Sequence, residues 1–164
     1  MTANELFLAI SPALATRILE EVHATDKDLY RVALNAAAQV RKVRPIFLER
    51  QSRAERHRLM AAALLRNDME MIAGNLVSGW LVKSHQQMLV DFLDALKVAN
   101  DKGVVENLPA TVPDADLDKA IELLLSKYDR ESVALYLRAF NDLNEANWPN
   151  LAAKLNSDDR LKLG

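Results

Sequence analysis

Three histidines, at positions 23, 57 and 85, are the only imidazoles in a 164-residue chain that contains no cysteine. Without a thiol there is no thiolate nucleophile, no disulfide framework and no cysteine-ligated metal. No two histidines stand three or four residues apart, and no H-E-x-x-H occurs, so the sequence offers no His-based metal centre and no metal or other cofactor is expected. His23 falls at the end of a helical pattern, where an imidazolium would complement the helix dipole. His57 sits between Arg56 and Arg58 and reads as a residue of a solvated helix face. His85 follows Trp80, Lys83 and Ser84 at a break in the pattern, and these three residues, Trp80, Lys83 and His85, form a candidate pocket.

The acidic pairs are less informative. Asp91 and Asp94 fall on the outer side of an amphipathic segment, and Asp114, Asp116 and Asp118 bracket a helix start, where the positive end of the dipole favours them. A di-metal carboxylate bundle would need Glu-x-x-His motifs, which are absent. There is no Walker loop, no G-x-G-x-x-G and no G-x-S-x-G. No catalytic residue is assigned.

The strongest charge feature is Arg41, Lys42, Arg44, Arg50, Arg53, Arg56 and Arg58 within positions 41–58, opposed only by Glu49 and Glu55. Arginine suits bidentate contact with carboxylate or phosphate. Glu49 with Arg53 and Glu55 with Arg58 stand at helical pair spacing, which predicts partial internal neutralisation. Arg41, Arg44, Arg50, Arg53 and Arg56 are the candidate anion or partner surface. Residues 1–66 carry 11 Lys+Arg against 7 Asp+Glu, and residues 67–164 carry 10 against 16, so the overall charge of −2 hides a dipole along the chain. A net charge so small gives no general pull toward nucleic acid or an anionic membrane.

The elements that must position these residues are helical. Half the residues are apolar, with only four Gly and five Pro, and Ala and Leu dominate, which favours helix over sheet. The apolar stretch at 6–10 follows Glu5 and no basic run, so it reads as a helix and not as a signal peptide. Ser11-Pro12 caps a helix over about 12–23, and Asp26 caps the next, which ends before Pro45. Pro45 opens a short turn bearing Ile46, Phe47 and Leu48. Ser52 to Glu55 has the capping-box form and starts a helix to about 65, and Asp68 caps the one after it. Ser84 to Gln87 reads as a second capping box beyond a kink near Lys83. A long loop is expected over about 100–113, then helices over about 115–127 and 130–142. Pro149 opens a last short helix, and 157–164 is expected to fray.

Leu64-Leu65 through Asp68, Glu70 and Leu76 resembles Leu124-Leu125 through Asp129, Glu131 and Leu137. The shared pattern is a Leu pair, a tight turn, Asp-x-Glu and an apolar face, which predicts two antiparallel αα-hairpin corners capped by Asp68 and Asp129. The expected fold is one all-α domain over 1–164, its hairpins packed as a compact helical bundle or a short α-solenoid-like array.

No apolar run approaches the roughly 20 residues that cross a bilayer, and a soluble, cytoplasmic protein is expected. Its packing and capping signals, set against its lack of reactive constellations, point first to a non-catalytic helical protein-interaction module whose partner is another protein; a homo-oligomer is compatible with it. A nucleic-acid-binding regulator using the 41–58 segment is the second reading and a less favoured one, since the helix pair around His23–Asp26 lacks the turn glycine of a helix-turn-helix. A small-ligand-binding or enzymatic bundle with its pocket near Trp80 is the third.

Overall fold

A computed structural model describes residues 1–164 and contains ten α-helices: α1 (Ala3–Ala9), α2 (Pro12–Thr25), α3 (Lys27–Val40), α4 (Pro45–Glu49), α5 (Arg53–Leu64), α6 (Glu70–Ser84), α7 (Gln86–Ala95), α8 (Asp114–Lys127), α9 (Arg130–Asp142) and α10 (Pro149–Ser157). The class is all-α. The only strand-like pairing is a single bridge between Asp101 and Val104, and no helix is long and apolar enough to cross a membrane. Contacts divide the chain into two compact units, Met1–Trp80 and Leu81–Gly164. Position 80 lies inside α6 and has no linker composition around it.

In the first unit α2 packs on α3 and α5, α3 also packs on α4 and α5, and α1 leans on α5. Ser11 and Asp26 cap their helices as expected, accepting from the amides of Leu14 at 3.1 Å and Leu29 at 3.1 Å. Ser52 accepts from the Glu55 amide at 3.2 Å. The reciprocal half of that capping box does not form, because both Glu55 oxygens are taken by the Arg58 guanidinium at 2.8 and 2.6 Å. A full box instead stands at Thr2, whose hydroxyl and amide are both bonded to Glu5. Glu70, at the start of α6, accepts from the amides of Ala3 at 2.8 Å and Asn4 at 3.4 Å, so one carboxylate serves the exposed donors of another helix. α3 ends in a Schellman turn with Lys42 at φ 56°, the Val43 amide reaching the Ala38 carbonyl at 3.0 Å.

Asp68 is not a cap. It lies inside a 3₁₀ turn over Asn67–Met69, and its carboxylate meets the Arg66 guanidinium at 3.0 and 3.1 Å on the surface. The two Leu-Leu…Asp-x-Glu segments therefore occupy different corners, and only Asp129 caps, accepting from the Ser132 amide at 3.0 Å. Asp129→Ala should cost about 0.5–2 kcal/mol and Asp129→Asn much less, whereas Asp68→Ala removes only an exposed, solvent-screened ion pair and should cost clearly less than Asp129→Ala. Denaturant midpoints of the three variants check this; equal losses at 68 and 129 would contradict it.

In the second unit α7 packs on α8, α8 on α9, and α9 on α10 and a 3₁₀ turn over Asp159–Leu161. Its core is aromatic: Phe92, Tyr136, Phe140 and Trp148 meet edge to face at centroid distances of 5.1–6.0 Å. The break near Lys83 and Ser84 is present, since α6 ends at Ser84 and His85 stands between α6 and α7. The Ser84 capping box is not: His85 is the N-cap residue and makes no side-chain cap, and the Ser84 hydroxyl, inside α6, has no hydrogen-bond partner. The loop after α7 carries Gly103 at φ 86°, with its α-carbon close enough to Leu89 that an added Cβ would stand 2.6 Å from the Leu89 Cβ, so both conformation and space require glycine there.

The C-terminal segment makes specific contacts with the rest of the second unit. Leu161 is fully buried, Arg160 binds Glu122 at 2.6 and 3.1 Å and Asp158 at 2.7 Å, and Arg130 donates to the carbonyls of Asp159 and Lys162. A polar composition concealed one well-placed leucine.

Candidate functional site

The arginine segment is shaped by three local events. The Schellman turn at Lys42 ends α3, Pro45 starts α4 from an extended Arg44, and Ser52 restarts the chain as α5. Five residues make α4, too few to persist alone, and Leu48, fully buried, holds it down. That leaves Ile46 47% and Phe47 48% exposed. Around them Arg41, Lys42, Arg44, Arg50 and Arg53 are exposed.

Internal neutralisation is smaller than spacing suggested. Glu55 does pair with Arg58, but Glu49 ends α4 while Arg53 starts α5, so the two do not share a helix; Glu49 turns to Arg31 at 3.5 Å instead. Arg41, Arg44, Arg50 and Arg53 form no ion pair. Arg56 has a different part: its Nε donates to the Leu48 carbonyl at 3.2 Å and its Nη2 to the carbonyls of Glu49 at 3.1 Å and Gln51 at 3.4 Å. It satisfies the end of α4, so the candidate surface keeps Arg41, Arg44, Arg50 and Arg53, and Arg56 is their support.

His57 is not on a solvated face. It is fully buried, its Nε2 lies 2.9 Å from the Tyr30 hydroxyl, and its Nδ1 has no partner. Burial, with the nearby charges of Arg56, His23 and Arg53, pushes its pKa down to about 4, so the ring is neutral at pH 7. The signal was present in the sequence: 57, 60 and 64 form an inward stripe with Met60 and Leu64, but the flanking arginines masked it. His23 does stand in the last turn of α2, yet burial and then Arg53, Arg56 and Lys27 lower its pKa, so the expected imidazolium at the helix end is disfavoured. Its ring stacks on Tyr30, centroids 4.2 Å apart and planes at 35°.

Beside this His23–Tyr30–His57 group opens a cleft of about 320 Å³, walled by His23, Lys27, Tyr30, Arg31, Glu49 and Arg56 together with Asp28 and Leu34. All of these belong to the first unit.

The candidate pocket residues are placed differently. Trp80, the last residue of the first unit, is fully buried and its indole N–H donates to Glu21 at 2.5 Å. Lys83 and His85 belong to the second unit, the former exposed and the latter half-buried. Of the acidic pairs, Asp91 is no simple solvated acid: it accepts from Lys127 at 2.6 Å, the Tyr128 hydroxyl at 2.6 Å and Gln87 at 2.9 Å, fastening α7 to the end of α8. Those bonds to Lys127, Tyr128 and Gln87 hold its carboxyl below the usual range against the opposing effect of burial. Asp94 accepts from the Asn100 side chain at 3.0 Å.

No protein-family model, no curated protein and no solved structure matches this chain.

Proposed function

We propose that the chain is a protein-interaction module that uses the α4 surface, and that its partner is an acidic protein segment carrying apolar side chains. The observation that supports this reading is the pairing of two large, half-exposed apolar residues, Ile46 and Phe47, with four arginines that have no counter-charge of their own. Aromatic residues and arginine are enriched in interface cores, where a few buried anchors supply most of the affinity and charges around them steer the encounter.

The experiment begins with affinity capture from the native organism after nuclease treatment, and its readout is binding of the identified partner in purified form. Arg44→Glu with Arg50→Glu should slow association and weaken binding about tenfold or more at low salt, with the difference shrinking as salt is added. Reconstituted binding that ignores this double charge reversal would defeat the reading. So would tight binding of random duplex DNA or RNA whose affinity falls steeply with salt, the mark of phosphate contacts.

A further inference from the structure

We infer that the cleft among α2, α3, α4 and α5 is a binding site for a small organic oxyanion, a phosphate monoester or carboxylate borne on a flat ring, and that it is distinct from the α4 surface proposed for a protein partner. Its volume of about 320 Å³ lies within the range of small-molecule sites. Its walls carry Lys27, Arg31 and Arg56 against Asp28 and Glu49. Of the two acids, Glu49 is turned toward Arg31 at 3.5 Å.

The decisive feature is how Arg56 is held. Guanidinium has five donor hydrogens in a fixed plane. Nε and Nη2 are spent on the carbonyls of Leu48, Glu49 and Gln51, while Nη1 has no acceptor in the protein, so a donor is fixed in orientation before any ligand arrives. Such preorganisation removes part of the ordering cost of binding. Lys27 makes no ion pair and is free to close over an anion from the first turn of α3. The half-buried His23 ring, lying against the buried Tyr30, supplies the aromatic surface of the cleft on which a ligand ring can rest.

The histidines report the same field from inside. Burial is the largest effect opposing protonation of both rings; after it come Arg53, Arg56 and Lys27 at His23, and Arg56, His23 and Arg53 at His57. The cations' share of that opposition favours an anion at the same place, while the share due to burial favours neither charge.

The test uses phenyl phosphate, benzoate and inorganic phosphate as probes, titrated into the full chain at constant ionic strength while the histidine ring resonances are followed by NMR. Phenyl phosphate or benzoate should move the His23 ring signals saturably and raise the His23 pKa by about half a unit or more, because a bound anion and a bound proton favour one another. Inorganic phosphate should bind more weakly than phenyl phosphate, since it lacks the ring. Lys27→Gln with Arg31→Gln, both exposed and away from the core, should weaken the effect about tenfold. No saturable movement with any probe up to tens of millimolar, a range that corresponds to only about 2–3 kcal/mol of affinity, would overturn the inference. So would an effect unchanged in the double variant. Ile46→Asp with Phe47→Asp should leave it intact, which separates this site from the α4 surface.

Discussion

Between pH 6.5 and about pH 4 the protein should lose roughly 3 kcal/mol of unfolding free energy, most of it through His57. In the folded state this imidazole is buried and neutral, with a pKa lowered from 6.5 to about 4. In the unfolded chain it takes up a proton near its ordinary value. Over this window the unfolded state binds more protons, so stability rises with pH: the full contribution is present above about 6.5 and is lost as pH falls toward 4. His23, lowered in the same direction, adds to the slope. The carboxylates Glu55, Asp68, Glu122 and Asp158, held below their ordinary values by Arg58, Arg66 and Arg160, begin to weaken the fold only below about pH 5, so they overlap the acid end of this window and leave the range from 6.5 to 5 to the histidines. Urea denaturation at several pH values from 7 to 4 measures the slope. His57→Leu should lower stability at pH 7, since Tyr30 loses its partner, yet remove most of the pH dependence. A variant with an unchanged slope would place the titration elsewhere.

Trp148→Ala should cost about 3–5 kcal/mol. Trp148 is fully buried and edge to face with Phe140 at 5.1 Å. Its backbone amide donates to the buried Asn141 side chain at 2.8 Å, and its indole N–H donates to the Pro109 carbonyl at 2.9 Å. The ring therefore fills the core of the second unit and pins the loop before α8. Trp148→Phe separates these roles: most of the apolar area stays and the Pro109 carbonyl loses its donor, so about 1–2 kcal/mol should go, with faster hydrogen exchange confined to the loop around Pro109. A Phe variant as stable as the parent, with loop exchange unchanged, would show that the indole bond anchors nothing.

The all-α class was legible because it rests on short-range signals that repeat along the chain: the periodic leucines, and caps such as Ser11, Asp26 and Asp129 that need only their own helix start. Local signals mislead where a side chain has a second partner within reach. Asp68 has the right type and position for a cap, but Arg66 two residues earlier takes its carboxylate bidentately. Glu55 has the right spacing for a capping box, but Arg58 takes it instead. Ser84 looks like a start signal, but the preceding helix runs through it. His57 and Leu161 were hidden by charged or polar neighbours, because composition averages over residues whereas burial is decided one position at a time. The candidate arginines were visible as a run. Nothing local separated Arg56, which turns back onto three carbonyls, from Arg44 and Arg50, which face solvent.

Whether α4 presents a binding surface or merely an exposed corner is decided by measuring stability and partner affinity together for Ile46→Asp with Phe47→Asp. Both side chains are about half exposed, and Leu48 rather than either of them anchors the helix. The unfolding free energy should stay within about 1 kcal/mol of the parent, as for surface substitutions, while at least about 2 kcal/mol of binding free energy for the purified partner is lost, as for interface anchors. Undiminished affinity in the double variant at parental stability would contradict a binding role for α4.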